Sequence, residues 1–213
     1  MRGSGVSGLA ATIVAVVMNR RTLFTLLLMA AAGWQPTWAE RVNVEGQWFD
    51  KTTEVAGTTL RLNGTGVRAV AWFKGFAAGL YLTTPDARTT AQALAATGPK
   101  RLQMRMLQEV PAVEFSKAVR KGVTRNSTPA EQQALSQRLV TFETSVAALK
   151  SVRPGDVVDL DLDPGRGLQL RLNGQPRGAP IAGDDFYAAV LRAFLGEKPY
   201  DVKLKAGLLG GPA

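Results

Sequence analysis

Arg68 is the residue in this 213-residue chain whose chemistry most needs a partner. It follows Asn63-Gly64-Thr65-Gly66-Val67 and enters a run dominated by Ala, Gly, Val, Trp, Phe and Leu, where Lys74 is the only other charge before Thr83. A guanidinium beside that much apolar surface costs free energy unless something anionic or oxygen-rich meets it. Two arrangements satisfy it. One is a ligand anion gripped by the planar fork. The other is a carboxylate of the chain itself, with the arginine stem lying along the apolar surface. Trp48, Trp72, Phe73, Phe76 and Phe194 are then either core or the lining of an apolar pocket.

Other chemistry is narrowed by composition. The chain has no Cys and no His, which excludes Ser-His-Asp and Cys-His nucleophile systems and removes the usual zinc ligands. Proton transfer would fall to Asp, Glu, Lys, Tyr or water polarised by Arg. Asp159-Leu160-Asp161-Leu162-Asp163-Pro164-Gly165 resembles the start of a calcium loop, but Leu170 stands where a bidentate Glu is required. The alternation instead predicts a solvated strand face whose carboxylates meet Gln169 and Arg171 across a hairpin. Gly64-Thr65-Gly66 lacks the third glycine of a nucleotide fingerprint and is followed by extended chain, so it reads as a turn. No metal and no cofactor is expected.

The positioning elements begin after residue 39. Arg20 and Arg21 precede an apolar stretch of about a dozen residues, and Thr37-Trp38-Ala39 resembles a cleavage site, so residues 1–39 read as a secretory signal peptide. Cleavage is expected after Ala39, with Met18 a possible true start and the periplasm the destination. A retained anchor helix is the alternative. Losing Arg2, Arg20 and Arg21 leaves 23 basic against 17 acidic residues, a net charge of +6. This excess lacks the stripe that nucleic acid requires and suits at most a weak contact with an anionic membrane surface.

Residues 40–213 read as a single domain. Val42, Val44, Trp48 and Phe49 suggest a first strand, and Thr53–Leu62 and Val67–Thr83 two long strands joined by an Asn63-Gly64 turn. Residues 88–97 suggest a small helix, and Leu102, Met104 and Met106 a half-buried strand. Ala112–Val123 forms a helix presenting Phe115, Val119 and Val123. Thr128-Pro129-Ala130-Glu131 is a capping box opening a helix with Leu135, Leu139, Phe142, Val146 and Leu149 on one stripe. Val157–Asp163 and Gly167–Leu172 make a hairpin, and a last helix runs from an Asp184 cap to Gly196. Strands followed by helices give an α+β fold, an antiparallel sheet covered on one face by helices.

The segments GTGVRAVAWFKGFAAGLYL, EFSKAVRKGVTRN, Gly167 to Gly174 and DDFYAAVLRAFLGEKPYDVKLKAGLLG resemble the chalcone isomerase-like proteins in their bacterial exported form. That resemblance implies an open-faced β-sandwich, and relatives that include plant cyclising enzymes and fatty-acid-binding members. In the plant enzymes an arginine polarises the substrate, assisted by Thr, Tyr and Asn. Arg68 matches the arginine, while the other three positions fall at Phe76, Phe115 and Gly122, and a further cleft Thr or Ser at Ala193, beside Phe194. The resemblance therefore implies a ligand site of Arg68, Trp72, Phe76, Phe115, Ala193 and Phe194 that holds a small, fatty-acid-like hydrophobic acid without turnover. An isomerase of the intramolecular lyase type using Arg68 as electrophile is one alternative. An accessory protein with a vestigial pocket is the other.

Overall fold

The computed structural model describes residues 40–70 and 73–212. Trp72 and the segment read as a signal peptide lie outside the described residues. The sheet is built from β3 (Thr52–Val55), β4 (Thr58–Val70), β5 (Phe73–Leu82), β6 (Lys100–Met106), β9 (Val157–Asp163), β10 (Gly167–Leu172) and β11 (Gln175–Pro176). These seven strands are antiparallel in the order β11-β10-β9-β6-β5-β4-β3. Between β6 and β9 the chain leaves the sheet through the short pair β7 (Val110–Pro111) and β8 (Ser151–Val152) and two helices. The helices are α1 (Thr90–Ala95), α2 (Ala112–Arg125), α3 (Pro129–Ala147), α4 (Asp184–Leu195) and α5 (Val202–Leu208).

Strand alternation decides which face the helices cover. Leu102, Met104, Met106, Val158, Leu160, Leu162, Leu168 and Leu170 join one buried cluster with Val119, Leu139, Phe142, Val146, Val190 and Phe194 from the helices. The capping box at Thr128 is present, the Glu131 side chain and the Thr128 hydroxyl each meeting the other's backbone amide. The architecture is the expected α+β open-faced sandwich. Among the described residues no helix is long and apolar enough to cross a membrane.

Several local expectations are corrected. The first strand is a hairpin, β1 (Arg41–Val44) with β2 (Gln47–Asp50), and its Phe49 is fully buried against Ala77 on the face opposite the helices. Asn63-Gly64 is not a turn. The chain reverses earlier, at Ala56-Gly57, both with positive φ, and again between Val70 and Phe73. At Asn63 the strand bulges instead. The Asn63 amide donates to the Ala87 and Leu208 carbonyls at 3.0 and 2.8 Å and accepts from the Ala87 N–H at 2.9 Å. Gly64 is glycine because α5 lies against it: a Cβ there would be 2.2 Å from the Gly207 carbonyl oxygen. Helix α5 itself is absent from the sequence reading, and α4 is capped by Gly183 rather than Asp184.

The carboxylate face of β9 is not solvated either. Asp159 and Asp161 are only 3 % and 2 % exposed. Asp161 takes Arg101 bidentately, at 2.6 and 2.7 Å, and Arg171 at 3.0 Å, while Gln103 donates to Asp159 at 2.9 Å. Arg101 also reaches the Thr53 hydroxyl at 2.6 Å, so β3 helps close this face over the charges. The expected cross-strand partners are present in register. What alternation alone did not reveal is that the sheet's second face is covered over these charges.

Candidate functional site

Arg68 lies on β4 directly across from Phe76 on β5, with a register shift immediately after it. Because the chain reverses between Val70 and Phe73, Arg68 and Phe76 meet across the hairpin rather than along one straight strand. Nη1 donates to the Ala69 carbonyl at 2.8 Å and to Asp201 Oδ2 at 3.0 Å. The guanidinium carbon stands 4.4 Å from the centroid of the Tyr200 ring, a cation–π contact. Asp201 is shared: its Oδ1 accepts the Lys203 and Leu204 amides at 2.8 and 3.0 Å and so caps α5. Tyr200 is fixed from the main chain, its amide donating to the Ala193 carbonyl at 2.7 Å.

The ion pair is mostly buried, with side chains 19 % and 12 % exposed, yet it does not exhaust the guanidinium. Nε and Nη2 make no hydrogen bond among the described residues. Beside Arg68 opens a cavity of about 120 Å³ between the sheet and the helices. Its wall takes Arg68 from β4, Phe76 from β5, Met104 and Met106 from β6, Val158 from β9 and Leu170 from β10, so it crosses five adjacent strands. Four strand spacings amount to about 19 Å. That volume over that span is a narrow slot, with Arg68 at the β4 end and Leu170 at the β10 end. Phe115, Val146 and Leu149 roof it from the helical layer. Its polar lining is Arg68, Glu114 and Tyr200, and Phe73, 40 % exposed, stands at its rim.

Of the residues singled out in the sequence, the structure brings Arg68, Phe76 and Phe115 together on this wall. Ala193 and Phe194 stand behind it, around a minor void that Phe115 and Tyr200 also line. Phe194 is buried with its ring centroid 6.2 Å from that of Tyr200. Ala193 packs on Gly122, where any Cβ would come within 2.5 Å of the alanine's own. The Gly122 and Ala193 positions are therefore a close helix crossing of α2 and α4. Tyr81 faces the opposite side and donates to the Asp50 carbonyl, Tyr187 donates to the Leu160 carbonyl, and Lys74 pairs with Glu45. None of those three lines the cavity.

Sequence reasoning missed Tyr200, Asp201, Glu114 and the methionine floor. A signal existed for Asp201, because an Asp before Val202-Lys203-Leu204 has the form of a helix cap. That its second oxygen reaches Arg68, 133 positions earlier in the chain, has no local signature.

No curated protein matches the chain. A family model described as chalcone isomerase-like matches residues 41–210. Among solved structures, a fatty-acid-binding protein of Arabidopsis thaliana is similar with a TM-score of 0.61 at 15 % identity, covering 80 % of this chain and 96 % of that one. At that identity the likeness concerns the fold, and it agrees with the sheet-and-helix arrangement described above. The fold and the extent of the family match place the chain in the chalcone isomerase-like family.

Proposed function

We propose that this is an exported, periplasmic protein that holds a small hydrophobic acid in the slot beside Arg68, without turning it over. The reading rests above all on the unused Nε–Nη2 edge of Arg68 at the end of an apolar slot. A carboxylate fits that edge with two parallel hydrogen bonds, while Asp201 keeps Nη1. The name of the Arabidopsis neighbour, a fatty-acid-binding protein, supports the same class of ligand. A cavity of about 150 Å³ accepts a benzene-sized guest, so a slot of about 120 Å³ suits a short linear tail. Longer chains must pass Phe73.

The test is native mass spectrometry of the protein after gentle purification, followed by titration with decanoate and with decanol. A retained acid, and decanoate bound more tightly than decanol, support the reading. Arg68→Ala removes charge-assisted hydrogen bonds that contribute about 1.5–3 kcal/mol, and decanoate affinity should fall at least about tenfold. Equal binding of acid and alcohol in both proteins would sink the anchoring role.

The Arg68–Asp201 pair favours a second reading, an accessory protein whose pocket is vestigial. Asp201→Asn separates the two. Asn still caps α5, and under the binding reading the loss of a competing anion leaves decanoate affinity equal or higher. A destabilised protein that binds no acid would favour the vestigial pocket. Chalcone cyclisation that disappears in Arg68→Ala would instead point to an isomerase, with Glu114 as the carboxylate on the cavity wall to examine as base.

A further inference from the structure

The apolar row of β6 has an exception at its first position. Lys100, Leu102, Met104 and Met106 point to the same side of the sheet, toward the helices, and Lys100 is only 6 % exposed. It pairs in the ladder with Leu162 and lines a cleft of about 480 Å³, separate from the slot beside Arg68. The cleft lies between the C-terminal end of α1, the β9–β10 turn and the start of α4, with Leu94, Leu162, Pro164 and Leu191 on its apolar wall. Among the described residues the Lys100 side chain forms no hydrogen bond or ion pair, and Asp184 acts on it only from a distance. Its side chain is part of the cleft wall.

The ionisable groups facing it are few. Tyr187 is buried, and its hydroxyl is committed to the Leu160 carbonyl. Asp185 is held bidentately by Arg138 at 2.7 Å through each oxygen. Asp184 remains, exposed and without a hydrogen-bonded partner among the described residues. With two carboxylates on this wall, an anionic guest is disfavoured. Burial lowers the Lys100 pKa, and Asp184 only partly opposes that, which enriches the neutral amine.

We propose that Lys100 is a covalent site for small apolar aldehydes or ketones, which it captures as a Schiff base in this cleft. Nζ forms a bond to the carbonyl carbon, and the carbonyl oxygen departs as water with the two protons that the ammonium gives up. The product is a protonated imine, with charge and atoms conserved and no further reagent consumed. Lysines desolvated in apolar pockets are suited to this step.

The probe is hexanal, added to the full-length protein at neutral pH with cyanoborohydride to trap the imine, and sites are read by peptide mapping over time. Lys100 should be alkylated several-fold faster than the exposed Lys74 and Lys117 in the same sample. Lys100→Arg should remove the fast adduct and leave the slow ones. Alkylation of the exposed lysines at the same or a higher rate, with Lys100 unmodified, would overturn the proposal. Because Lys100 competes with the other lysines inside one wild-type molecule, the result stands even if the variant folds poorly.

Discussion

Asp161 and Asp159 sit two residues apart on one strand face, both buried, and meet different partners. Asp161 is tied by Arg101 and Arg171 at hydrogen-bonding distance. Removing its charge leaves Arg101, itself mostly buried, without its bidentate partner, and Asp161→Asn should cost about 3–5 kcal/mol, measured by urea unfolding. Asp159 has Gln103 at 2.9 Å and stands 3.7 Å from Arg101. Burial raises its pKa from the ordinary aspartate value despite that arginine. The folded protein therefore holds this proton to higher pH than the unfolded chain does. The resulting stability is complete below the unfolded pKa and is lost as pH rises through the folded one. Asp159→Asn should accordingly gain stability relative to wild type in thermal melts as pH rises from about 4, the ordinary carboxylate value, toward neutrality. A constant difference across that range would contradict the assignment. The residue types on this face were legible from the Asp-x-Asp-x-Asp alternation. Their burial was not, because it depends on β3 and the β1–β2 hairpin folding across strands remote in sequence.

At the scale of elements, glycines mark where backbone meets backbone. Gly64, Gly66 and Gly207 let α5 lie on β4, and a Cβ on Gly66 would come 2.8 Å from the Leu204 carbonyl oxygen and one on Gly207 2.2 Å from that of Thr65. Gly64→Ala or Gly207→Ala should cost at least about 3 kcal/mol, since the obstruction is main chain and cannot rotate away. Gly75→Ala is the control: its nearest neighbour is a Phe73 ring carbon at 3.5 Å, and its melting temperature should stay within a few degrees of wild type. Thr128→Ala removes one half of the capping box and should cost about 1 kcal/mol. The cap, the α3 stripe and the β9–β10 hairpin were readable because each is a local pattern with a local cause. Asn63-Gly64 misleads for the complementary reason. It has the composition of a turn, but these residues accommodate a helix whose Leu208 is 145 positions from Asn63, and only the tertiary fold supplies that helix.

For the whole molecule, the sheet separates two kinds of interior. The helical side is apolar and carries the slot and the Lys100 cleft, whereas the opposite side combines Phe49 and its neighbours with a charge network. Family and architecture were legible from motifs spread over nearly all of residues 40–213, and the family match over 41–210 agrees. The site was legible only in outline, since Arg68 stood out by its surroundings whereas Tyr200 and Asp201 reach it through the fold. The export proposal has its own test at this scale. The protein recovered from the periplasm of a bacterial host should begin at Glu40 by intact mass, and retention of residues 1–39 would favour an anchored form. One further consequence comes from Asp201, whose two oxygens serve the start of α5 and Arg68 at once. The amides of Lys203 and Leu204 therefore report on the guanidinium without touching a ligand. If an acid sits alongside Asp201, their hydrogen exchange should slow on binding; if it takes Asp201's place, the freed carboxylate should let α5 fray and exchange should quicken.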